Sequence, residues 1–194
     1  ERVEAAGGQA YAVEMNVMEL ESVKKAFQEV YDKFGRIDIL VNIAGILSGD
    51  TIFEVTPEHW DKMLDINLRG IHFCCQSEKS GGGSVVSVSS QAGQVGGWMG
   101  SVAYSASKGG ILAITKGYAR QCTAKYGIRF NDVAPGLIET PLTKERGDKP
   151  DGIPVGRLGT AQDVANAIYF LASDLSAFVD GATIDVNGGM FMRS

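Results

Sequence analysis

Four short runs of branched apolar residues set the strongest limit on how this chain folds: IDILVN at 37–42, SVVSVS at 84–89, GIRFNDV at 127–133 and ATIDV at 182–186. Apolar residues do not strictly alternate within them, which is the pattern of strands buried on both faces. The segments between them repeat at the helical period instead. Residues 19–34 place Leu20, Val23, Phe27, Val30 and Phe34 at steps of three and four, and Gly35 stops the run. Thr56 followed by Pro57 supplies a capping hydroxyl and a proline at the first helical position, which predicts a helix from there through Asn67. Thr160 and Asp163 repeat a start signal, and Val164, Ala167, Ile168 and Leu171 share one face of that helix before ASDLSAF leads into the last strand. AYSASKGGILAITKGYAR reads as a further helix. Strands and helices in alternation predict an α/β protein whose mostly parallel sheet is covered by helices on both faces. No linker or repeat interrupts the alternation, so residues 1–194 are expected to form one domain.

Charge and cysteine content exclude several classes of partner. The chain has 18 Lys and Arg against 23 Asp and Glu, a net charge of -5, whereas binding a phosphate backbone needs concentrated positive charge; no nucleic-acid partner is expected. No run of 18 apolar residues exists and ERVEAAGG lacks the order of a secretory signal, so no membrane partner is expected either. Cys74, Cys75 and Cys122 have neither disulfide-framework nor zinc spacing, which points to a reducing, cytoplasmic setting. His59 and His72 stand apart on helices without a third ligand, so packing or surface roles are expected and no metal site.

The chemistry concentrates in YSASK. Tyr104 and Lys108 are four apart in a helical segment, so both side chains lie on one face. A phenol ordinarily titrates near 10 and is a poor acid or base at neutral pH; a neighbouring ammonium is expected to lower that value and make Tyr104 a usable proton donor and acceptor. Ser89 and Ser90 end a buried strand upstream, where loops of open sheets carry site residues, and a hydroxyl there can bind a carbonyl oxygen.

VSVSSQAG, YSASK, VAPGLIETP and VNGG, in that order and over essentially the whole chain, resemble the short-chain dehydrogenase/reductase family. The resemblance implies a Rossmann-like doubly wound parallel sheet, NAD or NADP as cofactor, and interconversion of a secondary alcohol and a ketone by hydride transfer. In that family a serine polarises the substrate carbonyl, a tyrosine passes the proton, a lysine lowers the tyrosine pKa and holds the nicotinamide ribose, and an asparagine helps keep a water in the proton path. Ser90, Tyr104, Lys108 and Asn67 occupy the matching positions. Ser90 precedes Tyr104 by fourteen residues, one more than is common in the family, so QVGGWMGSV is expected to carry a single-residue insertion, with Ser89 as the other register.

Cofactor contacts implied by the same resemblance fall on strand ends, where small residues let the backbone approach a dinucleotide. NIAG offers Asn42, Ala44 and Gly45, with Ile43 where the family usually has a second asparagine. Asn16 and Val17 match the pair at the adenine, Pro135 and Gly136 the turn facing the nicotinamide, Ile138 a backbone contact to the carboxamide, and Thr140 a hydroxyl near the phosphates. Tyr104 and Lys108 join them at the ribose. Trp98 and Met99 are expected to line the substrate pocket.

The glycine-rich turn TGxxxGxG that holds the pyrophosphate in the family does not occur in this sequence, and ERVEAAGGQAYAVEMNV reads as the end of a helix followed by the family's third strand. The family's N-terminal βαβ part is therefore expected to lie outside the sequence given, and 76–81 and 141–153 look shorter than their family counterparts. The residue that separates NAD from NADP belongs to the part not seen, so that choice stays open. The resemblance leans towards 3-oxoacyl thioester reductases and sugar or polyol dehydrogenases. It also implies a homotetramer or dimer paired through the helix before SVVSVS and the helix bearing Tyr104. The alternative is a non-catalytic nicotinamide-binding relative that acts as a sensor or assembly subunit.

Overall fold

A computed structural model describes residues 2–77, 82–97 and 102–192. Its centre is a four-stranded, all-parallel sheet formed by β1 (Ile39–Asn42), β2 (Gly83–Val88), β3 (Ile128–Pro135) and β4 (Thr183–Val186), in that spatial order. The helices are α1 (Arg2–Ala5), α2 (Leu20–Phe34), α3 (Pro57–Leu64), α4 (Gly70–Ser77), α5 (Ala92–Val95), α6 (Val102–Tyr126), α7 (Pro141–Glu145) and α8 (Ala161–Ala172). A π-helical turn, Asp65–Arg69, joins α3 to α4, and a short 3-10 turn, Asp174–Ser176, follows α8.

Each of the four apolar runs became a strand, and the register explains why they lack alternation. Leu40, Val85 and Phe130 pair across neighbouring strands and point to one face, where α2, α4 and α6 cover them. Val88, Val133 and Ile184 pair likewise and, with Val86, point to the other face, where Val164, Ala167, Ile168 and Leu171 of α8 close over them. Both faces are dry, so both sets of side chains are apolar. Val86, Val133 and Leu171 are fully buried, each contributing about 1.5–3 kcal/mol relative to exposure.

The helix ends follow the local signals. Gly35 takes a left-handed φ of 77° and its amide bonds to the Tyr31 carbonyl, closing α2. Thr56 caps α3 through the His59 amide, and Thr160 and Asp163 form a reciprocal capping box at α8. Two expectations fail. The helix from Pro57 does not run regularly through Asn67 but widens into the π turn at Asp65 before resuming as α4. The expected strand in ERVEAAGGQAYAVEMNV does not form: that stretch pairs with no strand among the described residues. It runs along α2 instead, where the Tyr11 hydroxyl bonds to Glu29 and the ring meets Phe34 edge-on at 6.0 Å. Of the two stretches read as short, residues 78–81 lie outside the described residues, and 141–153 forms α7 followed by turns closed on Thr143, Lys144 and Pro150.

Candidate active site

Tyr104 stands in the first turn of α6, at the carboxyl end of β2, and small residues bring the two elements together. An added Cβ on Gly93 would lie 2.5 Å from the Lys108 carbonyl carbon and 2.6 Å from the Gly109 nitrogen, so only glycine lets α5 press against α6. The Ser89 hydroxyl, buried behind that contact, donates to the Lys108 carbonyl at 2.9 Å. The next hydroxyl, Ser90, faces the other way: it accepts from the Ala92 amide at 3.1 Å and is hydrogen-bonded to the Tyr104 hydroxyl. The strand end thus separates the two serines, and Ser90 is the one beside Tyr104.

Ser90 and Tyr104 line a cavity of about 290 Å³ whose far wall is the turn after β3, with Pro135, Gly136, Ile138 and Thr140. Gly136 fits where nothing larger would, since its Cβ would stand 2.8 Å from Asn187 Cβ and 3.0 Å from Gln91 Oε1. The Ile138–Gly159 bridge runs through the Leu137 carbonyl and the Glu139 amide, and Ile138 uses its own carbonyl to accept from Thr143 Oγ1. Thr140 Oγ1 accepts from the Thr143 amide at 3.2 Å and so caps α7.

Lys108 is buried behind this wall, its Nζ donating to the Val88 carbonyl at 2.8 Å and standing 5.8 Å from the Tyr104 ring centroid. Asn67, fully buried on the π turn, accepts from the Ile46 amide at 2.8 Å through Oδ1, and through Nδ2 donates to the Ile46 carbonyl and to Ser107 Oγ. Ser107 in turn donates to the Tyr104 carbonyl at 2.7 Å. One asparagine therefore fixes the loop after β1 to the turn of α6 that carries Tyr104. Gly45 brings that loop close to both side chains: an added Cβ would stand 3.2 Å from Asn67 Oδ1 and 3.5 Å from Lys108 Nζ.

The remaining sequence-selected residues lie outside the cavity wall. Ala44 is exposed on the loop, and Asn42 is buried with Nδ2 donating to Ser87 Oγ on β2 at 3.2 Å. Asn42 thus ties two strands itself, while Ile43 is 63% exposed. Asn16 turns its side chain into the approach to α2, accepting from the Met18 amide and donating to Glu19, and Val17 packs on the cluster of Val23, Phe27 and Cys74. His72 bonds to the Tyr118 hydroxyl at 2.6 Å and His59 faces Asp50. Trp98 and Met99 lie outside the described residues. Gln91, Thr143, Arg146 and Met190 line the cavity without having been singled out, since no periodicity or short spacing links them to Tyr104. A larger cavity, about 380 Å³ between α2 and α4, contains none of the selected residues.

The electrostatics differ from what spacing alone suggested. Burial pushes the Tyr104 phenol up, and this outweighs the Ser90 hydrogen bond and the Arg146 charge, which both pull it down. The Lys108 ammonium is turned to the Val88 carbonyl and is not among these influences; burial pushes its own pKa down to about 8. Tyr104 accordingly holds its proton at neutral pH, the state in which it can donate one.

Lys108 also predicts a pH dependence of stability. The unfolded chain keeps this proton until about 10.5, whereas the native protein releases it near 8, so stability from this group rises as pH increases through that window and is lowest below it. Relative to a Lys108→Met variant, the parent should gain up to about 3 kcal/mol between pH 8 and 10.5. Denaturant melts of the two proteins across this range, without added ligand, test it; parallel curves would refute it.

The site can be set beside known proteins. Residues 1–191 match the family model described as enoyl-(acyl carrier protein) reductase. The chain is 36% identical over 202 residues to the 3-oxoacyl-[acyl-carrier-protein] reductase FabG of Staphylococcus aureus, covering 99% of this chain and 81% of that protein. It is 39% identical over 186 residues to FabG of Thermotoga maritima, covering 91% and 75%. The crystal structure of gox2181 superimposes with a TM-score of 0.91 at 34% identity over 97% of this chain and 79% of that one. A short-chain dehydrogenase/reductase structure from Brucella melitensis, a glucose/ribitol dehydrogenase, superimposes with a TM-score of 0.84 at 30% identity over 94% and 76%. This chain belongs to the short-chain dehydrogenase/reductase family of NAD(P)-dependent oxidoreductases.

Proposed function

We propose that this protein reduces the ketone of a 3-oxoacyl thioester to the secondary alcohol, with Ser90 and Tyr104 binding the carbonyl oxygen. The observation that carries this reading is the hydrogen-bonded Ser90–Tyr104 pair on the wall of a cavity whose other lining includes Leu47, Val95, Leu137, Ile138 and Met190. These apolar side chains suit an acyl chain. The names of the FabG relatives point the same way. A sugar or polyol dehydrogenase is the second reading, supported by the Brucella melitensis structure.

The residues present fit the nicotinamide end of NAD or NADP. Gly136 leaves backbone exposed where a Cβ would collide with Asn187, Gly45 keeps the loop after β1 close to Asn67 and Lys108, and Lys108 and Tyr104 would meet the ribose. Pro135 would face the ring, Ile138 the carboxamide and Thr140 the phosphates; Asn42, Ala44 and Gly45 would carry the loop under the dinucleotide, with Asn16 and Val17 at the adenine. When bound, the reduced cofactor supplies the hydride that adds to the carbonyl carbon and leaves oxidised. Ser90 donates a hydrogen bond to the carbonyl oxygen, and Tyr104 passes its proton to that oxygen as charge develops. Asn67 and Lys108 hold the pair in register and complete the route by which the phenol regains its proton.

The same reading takes 1–194 as a single domain, with no helix long and apolar enough to cross a membrane among the described residues. Cys74, Cys75 and Cys122, joined by no disulfide among the described residues, support a reducing, cytoplasmic setting, and Tyr169, Leu175 and Phe178, exposed around the end of α8, support a homo-oligomer. A panel of 3-oxoacyl thioesters, plain ketones and polyols, each with both cofactors and followed at the nicotinamide absorbance, tests the assignment. Turnover is expected with the thioesters foremost. Turnover of polyols alone would favour the second reading, and none at all a nicotinamide-binding protein without catalysis.

A further inference from the structure

Among the described residues that line the Ser90–Tyr104 cavity, Arg146 is the one charged side chain, and its placement is built rather than incidental. It lies just past α7, with 28% of its side chain exposed, and is clamped by Asp148, whose side chain is 3% exposed. Asp148 Oδ2 receives both Nε and Nη2 of the guanidinium, and the Asp148 amide donates to the Thr143 carbonyl at 3.0 Å. Thr143 Oγ1 donates to the Ile138 carbonyl at 2.9 Å. Arg146 is thus tied, bond by bond, to the wall opposite Ser90. Its charge reaches Tyr104, where it pulls against the effect of burial. The clamp occupies one edge of the fork and leaves Nη1 as the arm outside that pair.

A 3-oxoacyl group carries two oxygens in a 1,3 relation, and Ser90 with Tyr104 can serve only one of them. We infer that Arg146 is a specificity-determining residue that binds the second, acyl-end oxygen, so that the site selects 1,3-dioxygenated acyl compounds over plain ketones. The inference rests on the carbonyl-reducing role proposed above and adds the feature that a simple ketone lacks. A guanidinium suits the task, being a fixed planar donor that keeps its charge at any working pH. Its hydrogen bond to a neutral acyl oxygen is charge-assisted, and stronger still to the carboxylate of a free 3-oxo acid.

The test compares kcat/KM for a 3-oxobutanoyl thioester of N-acetylcysteamine with that for an unbranched methyl ketone of similar length, in the parent, Arg146→Met and Arg146→Lys. Arg146→Met should lower the thioester-to-ketone ratio by about 10- to 100-fold, mainly through KM for the thioester, the effect of losing one charge-assisted hydrogen bond. Arg146→Lys should recover part of it. A ratio unchanged in Arg146→Met, whether both activities persist or both fall together, overturns the inference alone, because a structural role would affect both substrates alike. Failure of the parent protein to turn over any 3-oxoacyl compound overturns this inference together with the proposed function.

Discussion

Replacing Tyr104 with Phe should cut kcat for ketone reduction by about 10³-fold, the usual scale for removing a positioned general acid. Phe keeps the half-buried ring and its packing at the start of α6, so the change isolates the hydroxyl that meets Ser90. Cofactor affinity, followed by fluorescence of the reduced nicotinamide, should weaken by no more than about tenfold, since at most one neutral hydrogen bond is lost. Turnover within a few-fold of the parent would remove Tyr104 from the proton path. Because burial keeps the phenol protonated in the free protein, reduction should need no acidic pH to load the donor, whereas the reverse oxidation should accelerate as pH rises towards the phenol's raised value.

The second large effect is expected at Asn67. Replacement by Ala removes an acceptor for the Ile46 amide and donors to the Ile46 carbonyl and Ser107, at a position with no solvent access. Leaving these groups unsatisfied should cost about 2–4 kcal/mol. For a chain of this size, about 2–4 °C of Tm is lost per kcal/mol, so a fall of roughly 5–15 °C is expected by thermal denaturation. Activity should fall further than stability explains, by about 10²-fold in kcat/KM at a temperature where the variant is folded, because Ser107 passes the Asn67 constraint to the Tyr104 carbonyl. A lowered Tm with unchanged kinetics would confine Asn67 to packing.

Much of the fold could be read without coordinates because the signals are local. The four apolar runs became the four strands, Gly35 ended α2 through a left-handed φ, and Thr160 with Asp163 capped α8 through side chains three residues apart. The expected strand in ERVEAAGGQAYAVEMNV failed for a non-local reason. Its composition permits an extended chain, but a strand also needs a partner to complete its ladder, and among the described residues none pairs with it. The π turn escaped for a related one: Asn67 is bound to Ile46 and Ser107, groups 21 and 40 residues away, and no window of sequence contains that pull.

The sequence by itself carried the family resemblance, through VSVSSQAG, YSASK, VAPGLIETP and VNGG, and with it the expectation of a proton-handling set. Only the tertiary structure decided how that set is tuned. It directed the Ser90 hydroxyl to Tyr104 and the Ser89 hydroxyl to the Lys108 carbonyl. It turned Lys108 towards Val88 and left burial, rather than a neighbouring ammonium, to govern the phenol. It also brought Arg146, forty-two residues beyond Tyr104, to the same cavity. Residue types and short spacings fix what groups exist; their charge states depend on desolvation and on partners distant in sequence, which only the folded chain assembles.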